Sequence, residues 1–164
     1  MNSEIQNISA RIEFIEKHSD IKGYYESIEL DGIVKNKKRN FLIGKRKLNG
    51  GFSRQFLVKE NNLERVVEVR CEFKNEKHIK TINNVRTYIY QENKLIYFFE
   101  FNEKVFNDDS TEIDYRIEYF LKNEFILKYN IEGSFNEDKD EYLTKKIVES
   151  KSLILDKNEI LMRN

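Results

Sequence analysis

The chain has 164 residues, 39% hydrophobic and 35% charged, with 29 basic against 29 acidic residues, 12 Phe, 9 Tyr, no Trp and no Pro. That length suits one domain, 1–164, that buries about 70% of its unfolded surface, and the aromatic content excludes a disordered chain. Zero net charge argues against a general nucleic-acid binder, and no apolar run reaches the roughly 20 residues needed to span a bilayer.

Met1 to Ala10 has neither a basic leader nor a continuous apolar run, so the sequence predicts no signal peptide and a cytoplasmic protein. Ile5, Ile8, Ile12 and Ile15 recur at helical spacing, with Ser3 and Gln6 placed as a capping box. A helix over 3–18 follows, ending near His18 and before Gly23. A first strand is expected over Tyr24 to Leu30, opening a sheet region over 24–132.

Residues 35–47 concentrate Lys35, Lys37, Lys38, Arg39, Lys45, Arg46 and Lys47, with Phe41, Leu42 and Ile43 as a short strand between two basic loops. Read as function, Lys37, Lys38 and Arg39 contact phosphates or an acidic protein, with Phe41 as an anchor. Read structurally, the lysines guard a sheet edge against aggregation. The stretch belongs to a wider asymmetry, because residues 1–82 hold 17 basic and 12 acidic residues and residues 83–164 hold 12 and 17. The result is a charge dipole.

From Phe52 to about Glu132 one phrase recurs: Glu60-Asn61-Asn62-Leu63, Glu92-Asn93-Lys94-Leu95 and Lys122-Asn123-Glu124-Phe125. A polar turn at a regular period between apolar runs writes a meander of hairpins. Alternation in the last hairpin pairs Leu121 with Phe125, Tyr119 with Leu127 and Ile117 with Tyr129 around a three-residue loop. The middle hairpin sets Ile89 against Tyr97 and Thr87 against Phe99. The first needs a bulge or a four-residue loop to fall into step. In this register Tyr88, Tyr90, Ile96, Phe98, Phe120 and Ile126 project from the second face. That face is too apolar to be solvated throughout. Terminal helices packed one on each face account for it, and any uncovered remainder would anchor another protein.

The residues Tyr88-Ile89-Tyr90-Gln91-Glu92-Asn93-Lys94-Leu95-Ile96, echoed at 119–126, resemble the MORN-type hairpin repeats of some bacterial antitoxin-like proteins. Those repeats place Gly after the Asn and again in the second arm, which this chain does not. The resemblance covers 52–132 at most. It implies a β-meander surface used for contacts, and it carries over no functional residues.

Chemistry-bearing motifs are sparse. Asp108, Asp109, Glu112 and Asp114 cluster without the glycine and distal Glu of a hard-cation loop, so they read as a solvated connection. His18 and His78 lack ligand spacing, and Cys71 alternates with Val67, Val69 and Phe73 as a core residue. No phosphate loop, Ser elbow or HExxH occurs; no catalytic residue, metal or cofactor is assigned. After Asn136 a second helix is expected over 137–155, with Glu137, Asp138, Asp140 and Glu141 at its start. Its apolar stripe is Leu143, Ile147, Val148, Ile154 and Leu155, and Lys145, Lys146 and Lys151 lie on other faces.

The expected fold is α+β, an antiparallel meander of about six to eight strands flanked by the terminal helices. The expected function is a non-enzymatic protein-binding domain, such as an inhibitor or immunity protein that neutralises a toxin. Its candidate contact residues are Lys37, Lys38, Arg39, Phe41, Tyr88, Tyr90, Phe98 and Phe120. The alternatives are a small-ligand-binding protein or enzyme with a pocket between sheet and helix, lined by Tyr88, Tyr90 or Tyr115, and nucleic-acid binding through 35–47.

Overall fold

A computed structural model describes residues 3–35, 48–74 and 78–163. Helix α1 (Ser3–His18) leads into seven strands: β1 (Glu26–Lys35), β2 (Leu48–Lys59), β3 (Asn62–Phe73), β4 (Ile79–Gln91), β5 (Lys94–Phe106), β6 (Thr111–Lys122) and β7 (Phe125–Gly133). Helix α2 (Lys139–Arg163) closes the chain. The strands form one antiparallel sheet in sequence order. The fold is therefore the expected α+β meander, and none of its helices among the described residues is long and apolar enough to cross a membrane.

The recurring phrase is a device. Each hairpin turns on two residues with positive φ: Glu60 (49°) and Asn61 (65°), Glu92 (52°) and Asn93 (58°), Asn123 (51°) and Glu124 (70°). Two such residues in succession match the twist of the flanking strands, and Asn tolerates the geometry best. Three residues past each turn the register slips by one, at Glu64, Ile96 and Leu127. An extra residue there makes a bulge, which the first hairpin required. Asn93 also ties neighbouring hairpins, its Oδ1 accepting from the Leu63 amide at 3.1 Å. Glutamate gains nothing from a left-handed backbone. Glu92→Gly should therefore raise the urea midpoint, by up to about 1 kcal/mol of stability.

Here the expected register needs correction. The last hairpin has a two-residue loop with Lys122 opposite Phe125, so Tyr119 faces Tyr129 and Ile117 faces Ile131. The bulge puts Leu127 on the α1 side of the sheet, away from Tyr119. Two residues plus a bulge consume the same chain as three loop residues, so apolar alternation alone does not separate them. In the middle hairpin the expected pairs Ile89–Tyr97 and Thr87–Phe99 form.

The bulges sort the aromatic residues. Tyr88, Tyr90 and Phe98 join Tyr119, Leu121, Phe56 and Val66 beneath α2. Phe120 and Ile96 instead join Leu57, Ile89 and Tyr97 beneath α1, with Ile8 and Ile15. One terminal helix covers each face. Both cover the half of the sheet nearest the three turns, and among the described residues no element lies over the other half of either face.

Asp138 caps α2, its Oδ1 accepting from the amides of Asp140 (3.0 Å) and Glu141 (2.9 Å). The helix runs to Arg163, beyond the expected 155. Its inward stripe is Tyr142, Leu143, Lys146, Ser150, Leu153 and Lys157, while Val148 and Leu155 point outward, contrary to expectation. Lys146 is buried, and so is Lys157, whose Nζ donates to the Asn61 carbonyl at 2.7 Å and holds the first turn.

A candidate contact face and a buried charge ladder

Of the residues singled out from sequence, Lys37, Lys38, Arg39 and Phe41 lie outside the described residues. Tyr88, Tyr90, Phe98 and Phe120 are 1%, 0%, 0% and 6% exposed. They hold the helices to the sheet and offer no surface to a partner. That part of the expectation is corrected, because the helices claim these rings first.

The uncovered remainder lies beyond α1. On that face Ser53, Val69, Val85, Phe101 and Arg116 stand side by side across five strands. The next row toward α1 is Gln55, Val67, Thr87, Phe99 and Glu118. Val69 (41%), Phe73 (53%) and Ile113 (42%) are exposed, and Val67, Val85, Phe99, Phe101 and Val105 are half-buried. Cys71, expected in the core, is half-buried on this open face. The flanks are acidic: Glu29 and Asp31 on β1, Glu103 on β5, Glu118 on β6 and Glu132 on β7, against Arg116.

The opposite face carries a second arrangement that sequence reasoning missed. Arg54, Glu68, Arg86 and Glu100 stand opposite one another on β2, β3, β4 and β5, alternating in sign. Arg54 bonds Glu68. Arg86 bonds Glu68 (3.2 Å) and Glu100 (3.0 Å), and reaches Glu149 on α2 at 3.2 Å. Glu100, 1% exposed, is the hub. It also accepts from Asn84 Nδ2 (2.7 Å), Tyr115 (2.8 Å) and Tyr142, and lies 3.7 Å from Lys146. A buried carboxylate with this many donors is satisfied on every lone pair.

The electrostatics follow from that arrangement. Burial pushes the Glu100 carboxyl up, yet Arg86 and Lys146, with bonds from Tyr142 and Asn84, outweigh it and hold it below the ordinary value. Glu149 behaves likewise, with Lys146 and Arg86 overcoming burial. Tyr142 and Tyr115 are raised, first by burial and then by the adjacent Glu100 charge, so both phenols stay protonated as donors. Depressed carboxyls stabilise the fold above their unfolded pKa, near 4.3, and that contribution disappears as pH falls through the lower folded values. The urea midpoint should therefore drop below about pH 4, and Glu100→Gln or Glu149→Gln should flatten the drop. Glu64, raised by burial against the pull of Arg11, works with the opposite sign and softens it.

The acidic run separates into three roles. Asp108 accepts from the Ser110 amide (3.0 Å), Asp109 pairs with Lys80 (2.6 Å), and Asp114, the extra residue of a bulge in β6, pairs with Lys104 (2.7 Å). Gly133, at φ 83°, passes so close that a Cβ there would lie 2.2 Å from the Asp114 carbonyl.

No protein-family model matches this chain, and no curated protein or solved structure was found to be significantly similar to it.

Proposed function

We propose that the protein is a binding module that recognises another protein through the open half of the sheet beyond α1. The observation that carries this reading is the row Val69–Val85–Phe101 with its exposed neighbours Phe73 and Ile113, apolar side chains on a rigid sheet with nothing described above them. Apolar centres with polar rims are the usual anatomy of such contacts. The acidic flanks favour a partner whose surface is apolar at its centre and basic around it. The sequence resemblance to hairpin repeats used for contacts agrees in kind with this reading.

An inhibitor or immunity role is the finer form of the proposal, in which the partner is a toxin and this face occupies the surface the toxin needs.

The test is capture from a host extract, followed by binding of the purified captured protein. Val69→Lys should abolish retention while leaving the circular dichroism spectrum and urea midpoint within about 0.5 kcal/mol of wild type, as expected for an exposed position. A charge reversal on the far side of the molecule, Lys151→Glu, should leave retention intact. A partner held equally by wild type and by Val69→Lys would overturn the proposal.

A further inference from the structure

β7 is a terminal strand of the sheet, and among the described residues nothing pairs with its outer side. Such an edge presents backbone groups that can template pairing with another chain. Along it Phe125, Lys128, Tyr129, Asn130, Glu132 and Gly133 are exposed.

The phase of the ladder fixes which backbone groups face outward. The Ser134 amide donates to the Asp114 carbonyl, directly across on the β6 side, at 2.8 Å. Hydrogen-bonded and non-hydrogen-bonded positions alternate along an antiparallel pair, so Glu132, Asn130 and Lys128 also turn their backbone groups to β6. Tyr129 and Ile131 turn theirs to solvent.

The side chains say what fits beside them. Lys128 lies over the Phe120 ring, 5.7 Å from its centroid, so Lys128, Asn130 and Glu132 line the α1 side of the edge. Tyr129 and Ile131 line the α2 side, against Tyr119 and the core. Neither Lys128 nor Glu132 has an ion-pair partner among the described residues. Charges on an edge ordinarily keep copies apart. These two are opposite in sign with Asn130 midway between them, which makes the strand complementary to itself. An antiparallel two-fold through Asn130 sets each Lys128 opposite Glu132 of the second copy. It also sets Tyr129 opposite Ile131, the two residues whose backbone groups are available. A slip of two residues separates the charges, and a slip of four opposes Lys128 with Lys128 or Glu132 with Glu132. β1, the other terminal strand, has Glu26, Glu29 and Asp31 against Lys35 alone and lacks this symmetry.

We propose that β7 pairs in this register with β7 of a second copy of this chain, giving a two-fold dimer with one continuous sheet. An isologous contact of this kind closes on itself and stops at two copies. The antiparallel arrangement sets the helix-covered half of each copy beside the uncovered half of the other, so the helices lie at opposite ends. A strand edge buries little area, so dimerisation is weak and depends on concentration. The contact does not rest on the protein-contact reading of the open face.

Sedimentation velocity of the full chain between about 5 and 500 µM tests it. Wild type should pass from monomer to dimer with no larger species. Lys128→Glu and Glu132→Lys, both at exposed positions, should each remain monomeric with unchanged circular dichroism, because each reversal opposes like charges twice. An equimolar mixture of the two variants should dimerise, since every facing pair is then opposite in sign. Hydrogen exchange of wild type at the two ends of the range reads the register: the Tyr129 and Ile131 amides should slow about tenfold in the dimer, and the Asn130 and Glu132 amides should not change. The proposal is overturned if wild type stays monomeric, if either reversal alone dimerises as wild type does, if the mixture stays monomeric, or if a dimer forms without slowing those two amides. A dimer abolished by Val69→Lys and untouched by the reversals would belong to the open face and would overturn it as well.

Discussion

Glu100→Ala should lower the unfolding free energy by about 3–5 kcal/mol, the loss expected when one partner is removed from a buried ionic network. The reason is what remains. Arg86 and Lys146 would face each other under α2 without the carboxylate between them, and Asn84, Tyr115 and Tyr142 would lose their common acceptor. Glu100→Gln keeps the shape and some of the bonds, so its loss should be smaller. Replacing Arg54, at the half-buried end of the ladder and also 3.3 Å from Asp156, should cost less than either. Urea unfolding of the three variants checks the order. Equal losses for Arg54→Ala and Glu100→Ala would mean the ladder is not centred on Glu100.

Phe98→Ala should cost a similar amount, about 3–5 kcal/mol, through the cavity it leaves. Its ring is fully buried, 5.0 Å from Tyr88 and 6.4 Å from Tyr119, and the Lys146 ammonium lies over it at 5.8 Å. Three residues along the same strand but on the other face, Phe101→Asp should cost little stability and remove partner retention. The pair separates two ways of losing binding, one by unfolding and one by spoiling the contact. Thermal melts beside the capture assay read both. A Phe98→Ala protein that melts as wild type does would contradict the core position of this ring.

The elements were largely legible because their causes are local. Ile5, Ile8, Ile12 and Ile15 spell a helix with one apolar edge, and Glu-Asn pairs between alternating runs spell turns. The register was legible in the middle hairpin, at Ile89 and Tyr97, and not in the last, whose turn on Asn123 and Glu124 sits one place later in the phrase than the turn on Glu92 and Asn93. It failed at Leu127 because a bulge exchanges the two faces without disturbing composition, so Phe120 parted from Tyr88 and Phe98.

The ladder was not legible for a different reason. Arg54, Glu68, Arg86 and Glu100 lie 14, 18 and 14 positions apart, and each alone reads as an ordinary outward-facing strand position. Only pairing brings them into one line, and only α2 makes that line interior. Lys146 and Lys157 hid similarly, as cations on an amphipathic helix read as solvent-facing until the stripe is fixed by Tyr142 and Leu153. An open apolar remainder was allowed for only as what full coverage by the helices would leave, without its location, since location depends on which half each helix covers.

Every strand of the sheet hydrogen-bonds only to its immediate predecessor and successor along the chain. Such a topology keeps loop-closure entropy small at each step and favours rapid assembly. Assembly by accretion follows, each new hairpin templated on the edge left by the last, with the two helices closing over a layer already in place. The same arrangement makes the molecule extensible: another copy of the turn-and-bulge unit, spliced in at its own period, would widen the layer without forcing any existing pair to separate.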